Sequence, residues 1–380
     1  MTAALKRLNI YHFRHELAQP IATVMGPMTH RPALLVRIED DEGAAGWGEI
    51  WCNFPPDGDL HRARLAARVA AIALNGMTAD TDHPFRQIIA RLHRLAIQSG
   101  EPGPVAQVAC GFDIALNDLA ARRAGVPLAV HLGGKVRGLP AYASGISPDK
   151  APAQVERMRA LGFTRFKQRI GFGPDEGLPA AEATAAALHP GDRLMLDANQ
   201  SWDIDRALTQ CARLAPLGID WMEEPLPVDA PAADWARLAK AAEMPLAGGE
   251  NVTGDSAFAE VIARGALHVI QPDICKWGGL STTRDIARNA LASGRRYCPH
   301  FLGGGVGLVA SAHLLAAVGG DGLLEVDSSE NPLLDHFSGH GGGLMLEQGL
   351  FPLADAPGLG FTPDVEGMGG LLHDHTEVQL

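Results

Sequence analysis

Three short apolar runs each end on a carboxylate: Leu194-Met-Leu-Asp197, Trp221-Met-Glu223 and Leu246-Ala-Gly-Gly-Glu250. The three acids are 26 and then 27 residues apart, about the length of one strand, one helix and two short loops in an α/β repeat. Parallel strands of a barrel end at one face, so this repeat is expected to bring the acids together. Converging carboxylates repel one another unless a hard cation neutralises them, and Mg²⁺ is the usual one. The stretch therefore predicts a Mg²⁺ enzyme.

The composition describes a globular chain of 380 residues, 46% hydrophobic and 20% charged, with a sizeable core. A formal net charge of −12 argues against a nucleic-acid partner. Neither an apolar signal core at the N-terminus nor a run of 18 apolar residues occurs, so we expect no membrane partner and a cytoplasmic location. The five cysteines are odd in number and lack Cys-x-x-Cys spacing, which predicts buried small hydrophobes and neither disulfides nor zinc.

Residues 1–135 predict an α+β module. A hairpin is expected from Ala33–Glu39 and Ala45–Glu49, and three helices follow, at Arg62–Leu74, Pro84–Ile97 and Pro104–Ala124. Two segments are predicted to be loops that carry recognition residues, Gln19–Arg31 and Trp51–Pro56.

Residues 136–330 alternate strand and helix at a short, regular period. Eight strands with intervening helices in fewer than 200 residues favour a closed parallel barrel over an open doubly wound sheet. A dinucleotide site is disfavoured because no Gly-x-Gly-x-x-Gly follows a strand. Residues 331–380 are irregular and are predicted to pack back on the first module, with short strands at Leu344–Leu346 and Leu350–Phe351.

Predicted barrel strands two to eight all end on ionisable residues. In order these are Lys167 and Arg169, Asp197, Glu223 and Glu224, Glu250, Asp273, His300, and Glu325. Catalytic residues of such barrels lie at the C-terminal strand ends, whereas surface charge would occur at both ends. The pattern therefore indicates an active site at this face.

These strand ends resemble the enolase superfamily, in its mandelate racemase-like subgroup. The matching pieces are Phe166-Lys167-Gln-Arg169-Ile-Gly, Leu196-Asp197-Ala-Asn199-Gln-Ser-Trp, Glu223-Glu224-Pro225, Gly249-Glu250-Asn, Pro272-Asp273-x-x-Lys276-x-Gly-Gly, Pro299-His300 and Leu324-Glu325. The N-terminal module resembles the family's capping domain through Asp113-Ile-Ala-Leu-Asn-Asp-Leu and Leu132-Gly-Gly134, so the resemblance covers nearly the whole chain.

The resemblance implies an α/β fold: a modified (β/α)₇β TIM barrel with an α+β N-terminal capping domain completed by the C-terminal tail. The expected parts are 1–135, 136–330 and 331–380. It also implies Mg²⁺ as cofactor, with Asp197, Glu223 and Glu250 as its ligands. Glu224 is expected to point the other way, because adjacent side chains on a strand alternate, and to make a structural ion pair.

The resemblance further implies roles in removing a proton α to a carboxylate. The enediolate formed needs a divalent cation and ammonium groups to stabilise it. Lys167 would be one such group, His300 would be the general base, and Asp273 would orient its imidazole. Glu325 would donate a hydrogen bond to substrate if protonated.

Arg169 departs from the family pattern. Members of the subgroup often carry Lys-x-Lys here, the second Lys being a base, and a guanidinium holds its proton too tightly for that role. One good base favours β-elimination of water from a sugar acid, giving a 2-keto-3-deoxy acid, with Arg169 holding a distal hydroxyl or carboxylate. Two alternatives remain open: a racemase or epimerase in which Arg169 or Lys167 is the second base, and a non-catalytic paralogue.

The substrate is expected to be a small-molecule carboxylate, and the protein is expected to be a homo-oligomer. Substrate contacts are predicted for residues of the two loops and for one residue after strand three: Thr29, His30, Arg31, Trp51, Asn53, Phe54 and Asn199. Arg31 would either pair with a second substrate carboxylate or only begin a strand.

Overall fold

An antiparallel sheet and three long helices form the capping domain in a computed structural model that describes residues 3–173, 175–340 and 345–380. Its strands are β1 (Leu5–Ile21), β2 (Met28–Asp40) and β3 (Ala45–Ile50), and its helices are α1 (Gly58–Leu74), α2 (Pro84–Ser99), α3 (Pro102–Arg123) and the short α4 (Leu128–His131). The C-terminal strand β13 (Leu372–Gln379) pairs with β1, so the sheet order is β13-β1-β2-β3. The expected α+β capping domain completed by the tail is confirmed.

Two glycines let β3 lie directly on α3. A Cβ on Gly46 would sit 2.1 Å from the carbonyl oxygen of Ala115, and one on Gly48 would sit 2.1 Å from that of Gly111. The Trp47 N–H then donates to the Asp118 carboxylate at 2.8 Å. This close approach fixes the end of β3, and with it Glu49 and the loop that follows.

Among the described residues, eight parallel strands and seven helices form the barrel. The strands are β4 (Leu139–Ile146), β5 (Arg165–Arg169), β6 (Arg193–Asp197), β7 (Met222–Glu223), β8 (Leu246–Gly248), β9 (Val269–Ile270), β10 (Arg296–Tyr297) and β11 (Leu324–Asp327). The helices are α5 (Ala151–Ala160), α6 (Leu178–Ala186), α7 (Ile204–Leu214), α8 (Ala232–Ala241), α9 (Asp255–Arg264), α10 (Gly279–Ala292) and α11 (Gly305–Val318). Short 3₁₀ helices occur at Ala215–Leu217 and Gly369–Leu371.

The strand order runs from β10 through β9, β8, β7, β6, β5 and β4 to β11. Pairing of β11 with β4 curls the sheet round, and the seam lies between β10 and β11, where the Leu323 N–H donates to Cys298 Sγ at 3.3 Å. The predicted (β/α)₇β barrel is confirmed. All strands point the same way, so their C-terminal ends share one face, which the capping domain covers.

The predicted loop at Gln19–Arg31 is wrong over most of its length. β1 continues to Ile21 and β2 begins at Met28, so the hairpin projects beyond the sheet. The turn is confined to the six residues between them, where the Gly26 N–H donates to the Thr23 carbonyl at 3.1 Å. Thr29, His30 and Arg31 therefore lie on a strand.

The tail contributes α12 (Pro332–Phe337) and β12 (Leu350–Phe351), which pairs antiparallel with β4. Of the strand predicted at Leu344–Leu346, Leu344 lies outside the described residues, while Met345 and Leu346 have no regular structure. The sequence did not reveal β13, because its largely exposed residues carry no apolar alternation.

All five cysteines are buried and free. Within the described ranges, no helix has the length and apolar character needed to cross a membrane.

His313 on α11 ties the barrel to the tail. Its Nδ1 accepts the N–H of Ala129 and its Nε2 donates to the Leu359 carbonyl, both at 3.2 Å, so the ring is neutral. Burial lowers the pKa of His313 to about 4, below the 6.5 of an unperturbed histidine. Between these values the unfolded chain binds more protons, so stability is present above pH 6.5 and is lost as the pH falls towards 4.

We expect His313→Gln to be less sensitive to acid than the wild type. The shift corresponds to about 3 kcal/mol of the free energy of unfolding, lost between pH 7 and pH 4 through this one group. Urea unfolding at pH 7.5 and pH 5 measures the loss of unfolding free energy in the wild type and in His313→Gln. Equal losses in the two proteins would show that His313 is not the group that titrates.

Candidate active site

A cavity of about 300 Å³ lies where the barrel meets the capping domain, a size suited to a small metabolite. The barrel lines it with predicted strand-end residues: Lys167, Arg169, Asp197, Glu250, His300 and Glu325. The capping domain contributes Thr23, Met25 and Met28 from the hairpin tip, and Trp51 and Phe54 from the second loop. The tertiary structure thus brings the barrel strand ends and two segments of the capping domain to one cavity.

Four carboxylates lie close together at this cavity: Asp197, Glu223, Glu224 and Glu250. Burial, together with the neighbouring acids, raises the pKa of Asp197 and Glu224, and it raises that of Glu223 to about 7. Glu250 differs. Burial by itself would raise its pKa, but the His300, Lys276 and Lys167 side chains together outweigh burial and lower the pKa of Glu250. The cluster is therefore short of positive charge.

Glu224 does not make the structural ion pair predicted for it. It lies just beyond the end of β7 with a φ of +40°, so strand alternation no longer applies, and it lines the cavity. Asn251 Nδ2 donates to both of its oxygens, at 2.9 and 3.0 Å. Among the described residues this amide is its hydrogen-bond partner, and no ion pair forms.

Lys167 lies between two of these acids, Glu223 and Asp197, and a further carboxylate, Glu325. Its ammonium contacts Glu223, lies 2.7 Å from Glu325 Oε1 and is 3.8 Å from Asp197 Oδ2. Burial opposes its charge, but these carboxylates outweigh burial and raise the pKa of Lys167 well above its ordinary value. Glu325 accepts from Lys167, Ser144 Oγ and the Phe301 N–H, and its pKa is lowered, so here the group is an ionised acceptor and not the donor we expected.

His300 and Asp273 form a buried pair. His300 Nδ1 lies 2.7 Å from Asp273 Oδ2, and the other oxygen of Asp273 accepts the N–H groups of Cys275 and Lys276 at 2.8 and 3.2 Å. The carboxylate is thus fixed, and it accepts the Nδ1–H. Nε2 faces the cavity and contacts the Glu250 carboxylate. Burial opposes a charge on the ring, but Glu250, Glu325 and Asp273 outweigh burial and raise the pKa of His300 well above its ordinary value.

Arg169 points into the cavity without a hydrogen-bond partner among the described residues, and its Nη1 is buried. Arg31 lies nearby, paired with Asp327 in the interior. Burial, and then repulsion from Arg169, lowers the pKa of Arg31 to about 9. Gly145 allows this packing, because a Cβ there would lie 3.2 Å from Arg169 Nη2 and 3.1 Å from Asp327 Oδ1.

The structure brings only some of the predicted substrate residues to the cavity. Trp51, Phe54 and Asn199 line it, whereas Thr29, His30, Arg31 and Asn53 do not. Asn53 instead donates to the Leu302 carbonyl at 2.7 Å. Asn199 donates to both oxygens of Asp197, at 2.8 and 3.0 Å, and so orients that carboxylate.

Lys276 and Asn251 also line the cavity and were not predicted to do so. Lys276 Nζ donates to Asn251 Oδ1 at 2.8 Å and lies 5.0 Å from the Trp51 ring centre. Each follows a predicted strand-end acid by one to three residues, and that adjacency was the available signal.

The acid cluster suits a hard divalent cation by its chemistry. Its donors are carboxylate oxygens, the ligands Mg²⁺ prefers, and burial near like charges disfavours ionisation of three of the acids. Within the described ranges no three His, Cys, Asp or Glu side chains form a ready-made metal site. Lys167 and His300 contact Glu223 and Glu250 instead.

A capped (β/α)₇β barrel with acids, a lysine and a His–Asp pair at its strand ends defines a class of barrel enzyme that works on a bound small molecule. Residues 7–133 match the family "Mandelate racemase / muconate lactonizing enzyme, N-terminal domain", and residues 150–367 match "Enolase C-terminal domain-like". The chain therefore belongs to the mandelate racemase / muconate lactonizing enzyme family of the enolase superfamily, and it is an enzyme.

Individual relatives agree over nearly the whole chain. D-galactarolactone cycloisomerase of Agrobacterium fabrum is 32% identical, covering 91% of this chain and 93% of that protein. The crystal structure of a mandelate racemase/muconate lactonizing enzyme from Bordetella bronchiseptica RB50 is 46% identical with a TM-score of 0.89, covering 98% and 100%. L-talarate/galactarate dehydratase from Salmonella typhimurium LT2, liganded with Mg and L-lyxarohydroxamate, is 25% identical with a TM-score of 0.86, covering 100% and 95%.

Other relatives, 28–30% identical, are a cycloisomerase, a dehydratase and an epimerase. These relatives differ from one another in both reaction and substrate.

Proposed function

We propose that this enzyme removes the proton α to the carboxylate of a sugar acid and eliminates water from the β-position, giving a 2-keto-3-deoxy acid. The observation that carries the proposal is a cavity with one histidine base, held by Asp273, and an arginine where a second base would be needed. Sugar-acid dehydratases among the relatives support it.

His300 serves in both halves of the proposed reaction. Its Nε2 takes the α-proton, and the C–H electron pair becomes the double bond of an enolate that the Lys167 ammonium stabilises. The imidazolium then gives that proton to the β-hydroxyl, and the electron pair of the enolate forms the C2–C3 double bond as the C3–O bond breaks and water leaves. The resulting enol becomes the 2-keto-3-deoxy acid by taking a proton at C3 and releasing the proton of its C2 hydroxyl. Because one residue acts on both groups, they leave from the same face.

Arg169 supports elimination over racemisation. Inverting a carbon requires a second base on the opposite face, and a guanidinium that stays charged does not supply one. Lys167 is also held as an ammonium by Glu223, Glu325 and Asp197. Both candidates for a second base therefore keep their protons at neutral pH.

A second anionic group on the substrate would suit Arg169. Asp327 is already paired with Arg31, whereas Arg169 has a buried Nη1 without a partner in the described part of the chain. A buried guanidinium is satisfied best by a carboxylate. The proposed substrate is therefore a sugar diacid, with one carboxylate near Lys167 and the other at Arg169.

The proposed cofactor is Mg²⁺, held by Asp197, Glu223 and Glu250. When bound, it would supply positive charge to the enolate, as Mg²⁺ does in general for developing negative charge on oxygen. Asn251 would orient Glu250 at the edge of that site. Its side-chain amide donates hydrogen bonds to Glu250, at 2.8 Å, and to Glu224.

Ring opening is a second candidate, favoured by the 32% identity to a D-galactarolactone cycloisomerase over 91% of the chain. The first step would be unchanged, and a ring oxygen would leave from the β-position in place of water. Dehydration and ring opening therefore differ in the leaving group alone.

A substrate screen in D₂O tests the proposal. Aldonates, the aldarates of the same sugars, and their lactones are incubated with enzyme and Mg²⁺, and 2-keto acid release and deuterium at the α-carbon are followed. We expect 2-keto acid from an aldarate, with kcat/KM at least about 100-fold above that of the matched aldonate, since a buried charge pair contributes roughly 3 kcal/mol.

Three other outcomes of this screen would each favour a different function. Keto acid from a lactone and not from the open acid would favour the cycloisomerase. Deuterium in an inverted product without keto acid would replace the dehydratase with a racemase or epimerase. A wild-type enzyme that binds Mg²⁺ yet neither exchanges nor eliminates across the screen would favour the non-catalytic paralogue.

A further inference from the structure

The loop that carries His300 into α11 is bound at four successive residues by side chains from elsewhere. The Phe301 N–H donates to Glu325, the Leu302 carbonyl accepts from Asn53, the Gly303 carbonyl accepts from Asn331, and the Gly304 N–H donates to Glu49. Glu49 and Asn53 belong to the capping domain, so two of the four contacts cross between domains.

Glu49 at the end of β3 is 2% exposed and caps α11 from outside the barrel. Its second oxygen accepts the Gly307 N–H at 2.8 Å, while the helix's own N-cap, Gly304, has no side chain to offer. A carboxylate at a helix N-terminus meets free N–H groups and the positive end of the helix dipole. A Cβ on Gly303 would lie 2.7 Å from Glu49 Oε1, so the glycines make room for it.

The neighbouring barrel helix is capped in the same way. Asp113 on α3, fully buried, accepts the N–H groups of Leu280 and Ser281 at the start of α10, at 2.6 and 3.1 Å. α10 follows the segment that begins with Asp273, the partner of His300. The capping domain thus holds both helices whose preceding loops carry the His–Asp pair.

We propose that Glu49 and Asn53 are positioning residues: through the Phe301–Gly304 loop they place His300 against the substrate, so that docking of the capping domain completes the catalytic geometry as well as covering the cavity. The role of His300 in this statement rests on the function proposed above. Displacement of a reacting group by about 1 Å can cost roughly 100-fold in rate, so loosening this loop affects chemistry more than binding.

Glu49→Gln tests the proposal with little change in shape. The amide keeps one acceptor, but its NH₂ faces a backbone N–H, so either Gly304 or Gly307 loses its partner. We expect kcat to fall by about 10- to 100-fold with KM and the Mg²⁺ Kd unchanged. Native-state hydrogen exchange at 301–307 should become at least about tenfold faster. Asn53→Ala should show smaller changes of the same kind. Because Asn53 is only half-buried, this variant still tests the proposal if the Glu49→Gln protein does not fold.

Asp40→Asn is the matched control. Asp40 is an equally buried carboxylate of the capping domain, but it accepts from the Glu42 and Ala44 N–H groups and from Arg123, at the turn between β2 and β3 and away from the His300 loop. This variant should lower the melting temperature, loosen exchange at the β2–β3 turn, and leave both kcat and exchange at 301–307 unchanged.

Unchanged exchange at 301–307 in Glu49→Gln, or faster exchange there with full kcat, would overturn the proposal. A fall in kcat shared equally by Asp40→Asn would also overturn it, since the effect would then be general destabilisation. The exchange measurement needs no substrate. It therefore still reports on Glu49 if the wild type fails the D₂O screen, and that failure would count against the proposed function alone.

Discussion

Replacing His300 by asparagine is expected to lower kcat by at least about 1,000-fold while the fold and the Mg²⁺ affinity remain. Asparagine keeps a donor near Asp273, so the buried carboxylate retains a hydrogen-bond partner. It supplies no nitrogen that can take a proton, and the other cavity cations, Lys167 and Arg169, hold theirs too firmly to substitute. Both the α-proton transfer and the departure of water depend on this ring, so both should be lost.

Steady-state kinetics and α-proton exchange in D₂O measure the effect, with calorimetric titration of Mg²⁺ and circular dichroism as checks on the site and the fold. His336→Asn is the control, because His336 contacts the Asp364 carbonyl outside the cavity. Activity within tenfold of wild type in His300→Asn would refute the assignment of His300 as the base.

Replacing Asp197 by asparagine is expected to weaken Mg²⁺ binding by at least about 100-fold and to remove turnover with it. An amide oxygen can still accept the Asn199 N–H, so the loop after β6 should keep its shape. One negative charge is lost from a site whose affinity comes from charged oxygen donors. The wild type should gain thermal stability as Mg²⁺ is added, because the ion binds the folded state, and the variant should gain little.

Titration calorimetry and melting temperature against Mg²⁺ concentration measure this loss. Asp192→Asn is a matched control just before the opposite end of the same strand, where the carboxylate is buried against Arg159 at 2.7 Å. It should lower the melting temperature and leave Mg²⁺ binding intact. Wild-type Mg²⁺ affinity in Asp197→Asn would remove Asp197 from the proposed ligand set.

The strand-end acids show which part of the site can be predicted from the sequence. Asp197, Glu223 and Glu250 each terminate an apolar run at a regular interval, and the parallel barrel makes that interval into a common edge. The same argument placed Lys167, Asp273 and His300. Spacing carried this information because every repeat contributes its strand end to one face.

Glu224 and Arg31 show where that argument stops. The alternation of side chains along a strand predicted that Glu224 points away from the site. The strand in fact ends before Glu224, whose φ is +40°, and the side chain lines the cavity. Arg31 was placed in a loop, whereas the hairpin extends and buries it against Asp327, almost 300 residues later in the chain. Neither outcome depends on local pattern, since a strand terminus and a distant ion pair arise only from packing.

The sequence by itself determined the barrel, the capping domain and the row of ionisable strand ends, because apolar period and strand-end position are local properties that repeat along the chain. Only the tertiary structure decided which side chains meet. It placed Glu49 at the start of α11 and Asn53 on the His300 loop, and it left Arg169 without a side-chain hydrogen-bond partner in the part of the chain that the structure describes. Such contacts join residues as far as 258 positions apart, and their geometry depends on how two domains pack, which no local pattern encodes.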